Sequence, residues 1–179
     1  PLTVQVPGPF LTMLAIEVAK ALNRPLYEWH IKSTTKAQHG LYEYDAVSRL
    51  RDSQLGDPRV HEIRNYIMQG MLWKAFLSEM PAVLLIDEVD KSDPEFEAFL
   101  LEVLSDFQVT IPEIGTISAT SQPLVFLTSN DAREMSDALK RRCLHLWIDY
   151  PNEELELRIL DKKVPQIEKQ LAGDLVRLM

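Results

Sequence analysis

"PAVLLIDEVDKSD", residues 81–93, decides how this chain is read. Val83 to Ile86 form an unbroken apolar run with no polar alternation, the pattern of a strand buried on both faces of a parallel sheet. Asp87 and Glu88 end that run, and Asp90 and Asp93 follow closely. Carboxylates at the carboxyl end of such a strand stand where open α/β sheets bind ligands. The plainer alternative is a strand that stops at a solvated acidic turn.

Working outward, the same alternation of short apolar runs and helical periods continues in both directions. Leu2 to Val6 reads as a strand, and Pro7-Gly8-Pro9 as a turn. Apolar residues at 11, 14, 15, 18, 19 and 22 then recur at helical spacing. Residues 25–31 give a second strand, 33–58 a polar stretch with one short helix near 45–51, and 58–80 a helix with Gly70 as its weak point. Asp93-Pro94 opens the next helix, with a cap followed by a proline in the first turn. "FQVTIPEIGTISAT" alternates on both sides of 112–115, as a hairpin does. Residues 124–129 and 144–148 are two more strands, separated by a short helix at 136–141, and the chain is helical from Glu153. Strands alternating with helices predict a parallel sheet flanked by helices. Pro151 marks the expected boundary between a sheet domain, 1–150, and a helical portion, 151–179.

Composition narrows the function. A net charge of −8 leaves no long basic track for a nucleic-acid backbone, so nucleic acid is not an expected partner. The single cysteine, Cys143, cannot close an internal disulfide, and no apolar run approaches a bilayer span. A cytoplasmic setting with no membrane association is the expectation. His30, His39, His61 and His145 have no paired ligand spacing and predict no metal site. Cys143, Trp29, Trp73 and Trp147 lie in or beside apolar segments and are expected to pack.

Four segments in order carry a family resemblance. "VLLIDEVD" resembles a Walker B strand, and "LVFLTSND" resembles the neighbouring strand that ends in a polar sensor. "ALKRRCLHLWIDYP" is similar to an arginine-finger helix with the final strand. With "STTKAQHGLYEYDAVSRLRDSQLGD", the chain resembles the MoxR-type AAA+ ATPases over nearly its whole length. The resemblance implies a P-loop-type α/β core with a five-stranded parallel sheet and the start of a helical lid. It further implies ATP and Mg²⁺ as cofactors and self-association into a ring, often of six subunits. Remodelling or maturation of partner proteins, von Willebrand factor A domain proteins among them, is the implied activity. The 109–119 hairpin is then either an ordinary meander or one turned toward a ring pore.

Within that resemblance each residue has a chemical task. Asp87 would hold Mg²⁺ through its water shell, since a hard cation takes oxygen ligands. Glu88 would polarise the attacking water, and Asn130 would hold that water from the other side with its amide. Arg141 or Arg142, the latter nearer the strand and preferred, would reach a neighbour's nucleotide, where a guanidinium offsets phosphoryl charge. The plainer reading of the pair is a basic helix end that complements the helix dipole.

One segment departs from the pattern. A phosphate-binding loop reads G-x-x-x-x-G-K-[ST], and residues 5–12, "QVPGPFLT", stand in its place. Gln5 and Phe10 replace its glycines and Leu11 its lysine, while Gly8 and Thr12 fit as cofactor-binding residues, Thr12 also on the metal side. Glycines let backbone N–H groups wrap the phosphates, and the lysine neutralises their charge. A rival reading therefore stands beside the ATPase: an interaction or scaffold subunit that neither binds nor hydrolyses ATP. A third, a metal-dependent nuclease built on Asp87, Glu88, Asp90 and Asp93, conflicts with the acidic charge.

Overall fold

The run 83–86 is fully buried. In the computed structural model it forms most of a strand, Val83–Asp87, in a parallel sheet covered on both faces. The structure describes residues 2–5, 10–111, 114–130, 132–147, 151–166 and 173. In chain order the elements are β1 (Leu2–Gln5), α1 (Phe10–Ala21), β2 (Leu26–His30), α2 (Ala37–Leu41), β3 (Tyr42–Tyr44) and α3 (Ala46–Gln54). Next come β4 (Ile67–Gln69), α4 (Met71–Phe76), β5 (Val83–Asp87), α5 (Pro94–Asp106), β6 (Gln108–Ile111) and β7 (Gly115–Ser118). Then follow β8 (Leu124–Ser129), α6 (Asp137–Lys140), β9 (Leu144–Trp147) and α7 (Glu153–Lys163).

Five strands form the main sheet, in the order β2-β5-β8-β1-β9, and every neighbouring pair is parallel. From β1 the chain crosses to the far edge at β2, returns strand by strand to β8, and then places β9 on the other side of β1. The carboxyl ends of all five strands therefore share one edge. At that edge His30 is in register with Asp87, and Gln5 with both Ser129 and Trp147.

Period-two geometry sends alternate residues of a strand to opposite faces. Leu84 and Ile86 of β5, with Val125 and Leu127 of β8, join the large core cluster containing Leu72 and Phe76 of α4 and Phe96 and Leu100 of α5. Val83, Leu85 and Phe126 are also buried but lie outside that cluster, and α1, with buried Ala15 and Ala19, packs on β5 and β8. Full burial of a large aliphatic side chain stabilises by about 1.5–3 kcal/mol, so β5 alone is a major part of the core. Trp29 and Trp73 are buried in it, and Cys143 is half-buried against it. The side chain of Trp147 is outside the described residues.

Two sequence expectations are corrected. Residues 33–58 carry α2 and β3 besides the one short helix expected there, β3 being held by its pairing with β4. Residues 58–80 are not a helix. Two 3-10 turns, Pro58–His61 and Ile63–Tyr66, lead into β4, which pairs antiparallel with β3, and only Met71–Phe76 is α-helical. Polar side chains wire the turns. Asp57 accepts from the Arg59 N–H at 2.9 Å, and the nearly buried Asp52 accepts from the Tyr66 hydroxyl at 3.0 Å and from Arg51. Gly70 then ends β4 against the backbone of Gly40: a Cβ on Gly70 would stand 2.3 Å from the Gly40 carbonyl oxygen. A helix through Gly70 would break that approach, and the Gly70 N–H instead donates to the Leu41 carbonyl at 2.7 Å.

The hairpin expected around 112–115 is present as antiparallel β6 and β7. The chain divides into two compact units, Pro1–Trp147 and Ile148–Met179. In the second unit, α7 is capped by Asn152, which accepts from the Leu155 N–H at 2.9 Å. Glu153, Glu154 and Glu156 in its first turn and Lys162 and Lys163 in its last complement the helix dipole. Beyond residue 166, the helical portion expected from Glu153 lies almost wholly outside the described residues. No helix among the described residues is long and apolar enough to cross a membrane.

Candidate functional site

Strand ends assemble the site. Asp87 is the last residue of β5, and Glu88 follows it with left-handed backbone angles, φ 60° and ψ 45°. An L-residue in that conformation costs roughly 1–2 kcal/mol, and such strain collects at functional positions. Here it turns the chain sharply into a 3-10 turn at Val89–Lys91.

Asp87 is held from three elements. Its Oδ1 accepts a short hydrogen bond from the Thr128 hydroxyl on β8. The Nδ1 of His30, at the end of β2, lies 3.0 Å from Oδ2. The Thr12 hydroxyl, in the first turn of α1, lies 3.4 Å from each carboxylate oxygen. Thr128 serves twice, because its hydroxyl oxygen also accepts from the Glu88 N–H at 2.9 Å. Glu88 itself meets Asn130, whose Nδ2 is 3.4 Å from Oε1, and pairs with Lys91 at 2.6 Å. Thr12, Asp87, Glu88 and Asn130 thus converge at one edge of the sheet.

The other candidates fall elsewhere. Gly8 lies outside the described residues. Arg141 and Arg142 are exposed and follow α6, beside a shallow depression lined by Pro123, Leu124 and Leu144. Leu124 and Leu144 begin β8 and β9, so this is the opposite edge of the sheet from Asp87. Within one chain the arginines do not reach the carboxylates. Asp90 and Asp93 are also engaged structurally: Asp90 accepts from the Ala132 N–H at 3.0 Å, and Asp93 caps α5 by accepting from the Phe96 N–H at 2.8 Å. No group of three or more His, Cys, Asp or Glu side chains among the described residues could hold a metal ion, so the four-carboxylate nuclease centre is not formed.

Sequence reasoning missed His30 and Thr128. The available signal was positional: each sits at the carboxyl end of a strand that neighbours β5.

The segment carrying Asn130 is braced from α5. Glu97, buried, accepts from Arg133 and from the Ser136 N–H at 2.9 Å, and Arg133 also donates to the Ser92 carbonyl at 3.0 Å. Burial alone would raise the Glu97 carboxyl, but the Ser136 N–H and hydroxyl, together with the Arg133 guanidinium, outweigh it and hold the group below its ordinary range.

The two halves of a MgATP site fit this chain unequally. A carboxylate and a hydroxyl offer hard oxygen donors at one point, which suits Mg²⁺, a cation that keeps several waters and takes one or two carboxylates. The triphosphate fits poorly, because glycine and lysine are replaced by Phe10 and Leu11 in the loop that would wrap it.

Among solved structures, a "putative ATPase" from Cytophaga hutchinsonii superposes with a TM-score of 0.61 at 15% identity, over 98% of this chain and 52% of that one. The present chain therefore spans about half the length of that protein, and the likeness is one of fold. No curated protein matches the chain. The family model described as AAA domain (dynein-related subfamily) matches residues 6–143, most of the chain. With that match and its parallel sheet in the order β2-β5-β8-β1-β9, the chain belongs to the AAA domain family, dynein-related subfamily, of the AAA+ superfamily.

Proposed function

We propose that the chain is an AAA+ ATPase module of the MoxR type, acting in a ring, often of six subunits, to remodel or mature partner proteins, with von Willebrand factor A domain proteins as the partner class. The observation that carries the reading is the meeting of Thr12, Asp87, Glu88 and Asn130 at one sheet edge. Bound there, Mg²⁺ would offset phosphate charge. Asp87 and Thr12 are the residues to hold it, with Asp87 kept in place by its Thr128 hydrogen bond. Glu88 and Asn130 present a carboxylate and an amide to a common point, where a water would be oriented and its proton accepted. Arg141 or Arg142, remote from the chain's own carboxylates, would complete the site of a neighbouring subunit. Residues from Pro151 onward would begin the lid, and the β6–β7 hairpin would face the ring pore.

The substitutions in residues 5–12 favour a second reading, a ring subunit that neither binds nor hydrolyses ATP and serves as scaffold. Loss of one charge-assisted phosphate contact costs about 1.5–3 kcal/mol, which weakens binding roughly 10- to 150-fold. Calorimetric titration with ATP, with and without Mg²⁺, separates the two on the chain and on its Phe10→Gly/Leu11→Lys variant. Magnesium-dependent binding that strengthens at least about 10-fold in the variant supports the ATPase reading. Absence of binding in both chains overturns it in favour of the scaffold.

A further inference from the structure

We propose that His30 is a positioning residue for the metal-binding carboxylate. The inference rests on the metal role of Asp87 argued above. His30 closes β2 in register with Asp87, so parallel pairing alone brings the two side chains to the same strand edge. A carboxylate only accepts, so a hydrogen bond at this 3.0 Å separation requires the hydrogen on Nδ1. Among the described residues, Glu28 also approaches the ring, 3.7 Å from Nε2.

The ring stands at the surface, outside the packed core. The His30 side chain is about half exposed (53%), whereas the Asp87 side chain is 14% exposed. His30 lies outside the hydrophobic cluster that buries its neighbour Trp29. Its contact is with the carboxylate oxygen not engaged by Thr128: the imidazole holds Oδ2 and the threonine holds Oδ1. Two donors on opposite oxygens fix the plane of the carboxylate while leaving each oxygen further lone-pair capacity. The Thr12 hydroxyl, 3.4 Å from both oxygens, marks the side on which a hydrated cation would sit. Donors of this kind orient a ligand carboxylate before the metal arrives, and losing one typically weakens metal binding 10- to 100-fold.

The test uses the full chain labelled with ¹⁵N and Mn²⁺ alone as the probe. Long-range ¹H–¹⁵N correlations of the His30 ring should show the hydrogen on Nδ1, and Asp87→Ala should return the ring to the ordinary Nε2–H form. Paramagnetic broadening of the Glu88 and Thr128 amides should need roughly 10-fold more Mn²⁺ in His30→Ala. It should return toward the wild-type midpoint in His30→Asn, whose amide N–H reaches the place of Nδ1. A ring whose hydrogen lies on Nε2 alone in the unmodified chain, or an unchanged midpoint in His30→Ala, overturns the positioning role while leaving Asp87 as a metal residue. Mn²⁺ that broadens neither amide in the wild type, with Nδ1–H still observed, removes the metal role of Asp87 and this inference with it.

Discussion

Glu97→Ala tests how the segment bearing Asn130 is held. The carboxylate accepts from the Ser136 N–H at 2.9 Å and from the Arg133 guanidinium, and the residue is 3% exposed. Hydrogen bonds to a charged group contribute about 1.5–3 kcal/mol each, so two set an upper limit near 6 kcal/mol. The Arg133 side chain is 37% exposed and keeps its bond to the Ser92 carbonyl, so it regains water and part of its pairing when Glu97 is truncated. The expected loss is about 2–4 kcal/mol, or a fall in Tm of roughly 4–16 °C for a chain of this size. Urea denaturation followed by tryptophan fluorescence reads it directly, since Trp29 packs on Phe96 with ring centroids 5.1 Å apart. A pH arm separates charge from packing. The Glu97 carboxyl is held below its ordinary 4.5, so its contribution is complete above that pH and is lost as pH falls through the lower folded value. The stability gap between wild type and Glu97→Gln should therefore be largest near neutrality and shrink toward pH 3. A loss under about 0.5 kcal/mol in Glu97→Ala, or a Gln gap that is constant with pH, refutes the clamp.

Gly70→Ala should destabilise the chain by about 1–3 kcal/mol in the same denaturation assay, because the new Cβ meets backbone rather than a movable side chain. Arg142→Ala should leave the denaturation midpoint unchanged and lower only assembly-dependent ATP hydrolysis; equal hydrolysis at ring-forming concentration would remove Arg142 from the neighbour's site.

The sheet was legible because its signals are local. An unalternating apolar run such as 83–86 can be fully buried only between two covering layers, and the carboxylates that end it must then lie at the strand tips. The same reasoning located β8 and placed Asn130 just beyond it. Residues 58–80 failed for the opposite reason. Val60, Ile63, Ile67, Met71 and Phe76 follow a helical period, but Gly70 is fixed by a backbone thirty residues away, and Asp52 draws Tyr66 and Arg59 to itself. The apolar period within 58–80 carries no signal of these contacts, since Gly40 and Asp52 both lie before it.

The site divides along the same line. Asp87 and Glu88 were readable as the end of a strand, whereas their partners come from elsewhere in the chain: His30 from 57 residues before Asp87, and Thr128 from 41 after it. Each partner is an unremarkable residue in its own segment and gains meaning only once the strand order is known. That order is what couples the site to its support. β5 delivers the carboxylates, and β2 and β8, its two neighbours, each deliver one hydrogen-bonding side chain to Asp87. The turn after β5 then uses Asp90 and α5 uses Glu97 to hold residues 132–136, beyond Asn130. The segment after Asn130 and the Asp87 carboxylate are thereby both tied to β5 and α5. On the proposed reading of residues 5–12 as an altered phosphate loop, the changes at 10 and 11 leave these hydrogen bonds in place, since none of them involves residue 10 or 11. Repair of the loop should therefore act on nucleotide affinity without rebuilding the carboxylate edge.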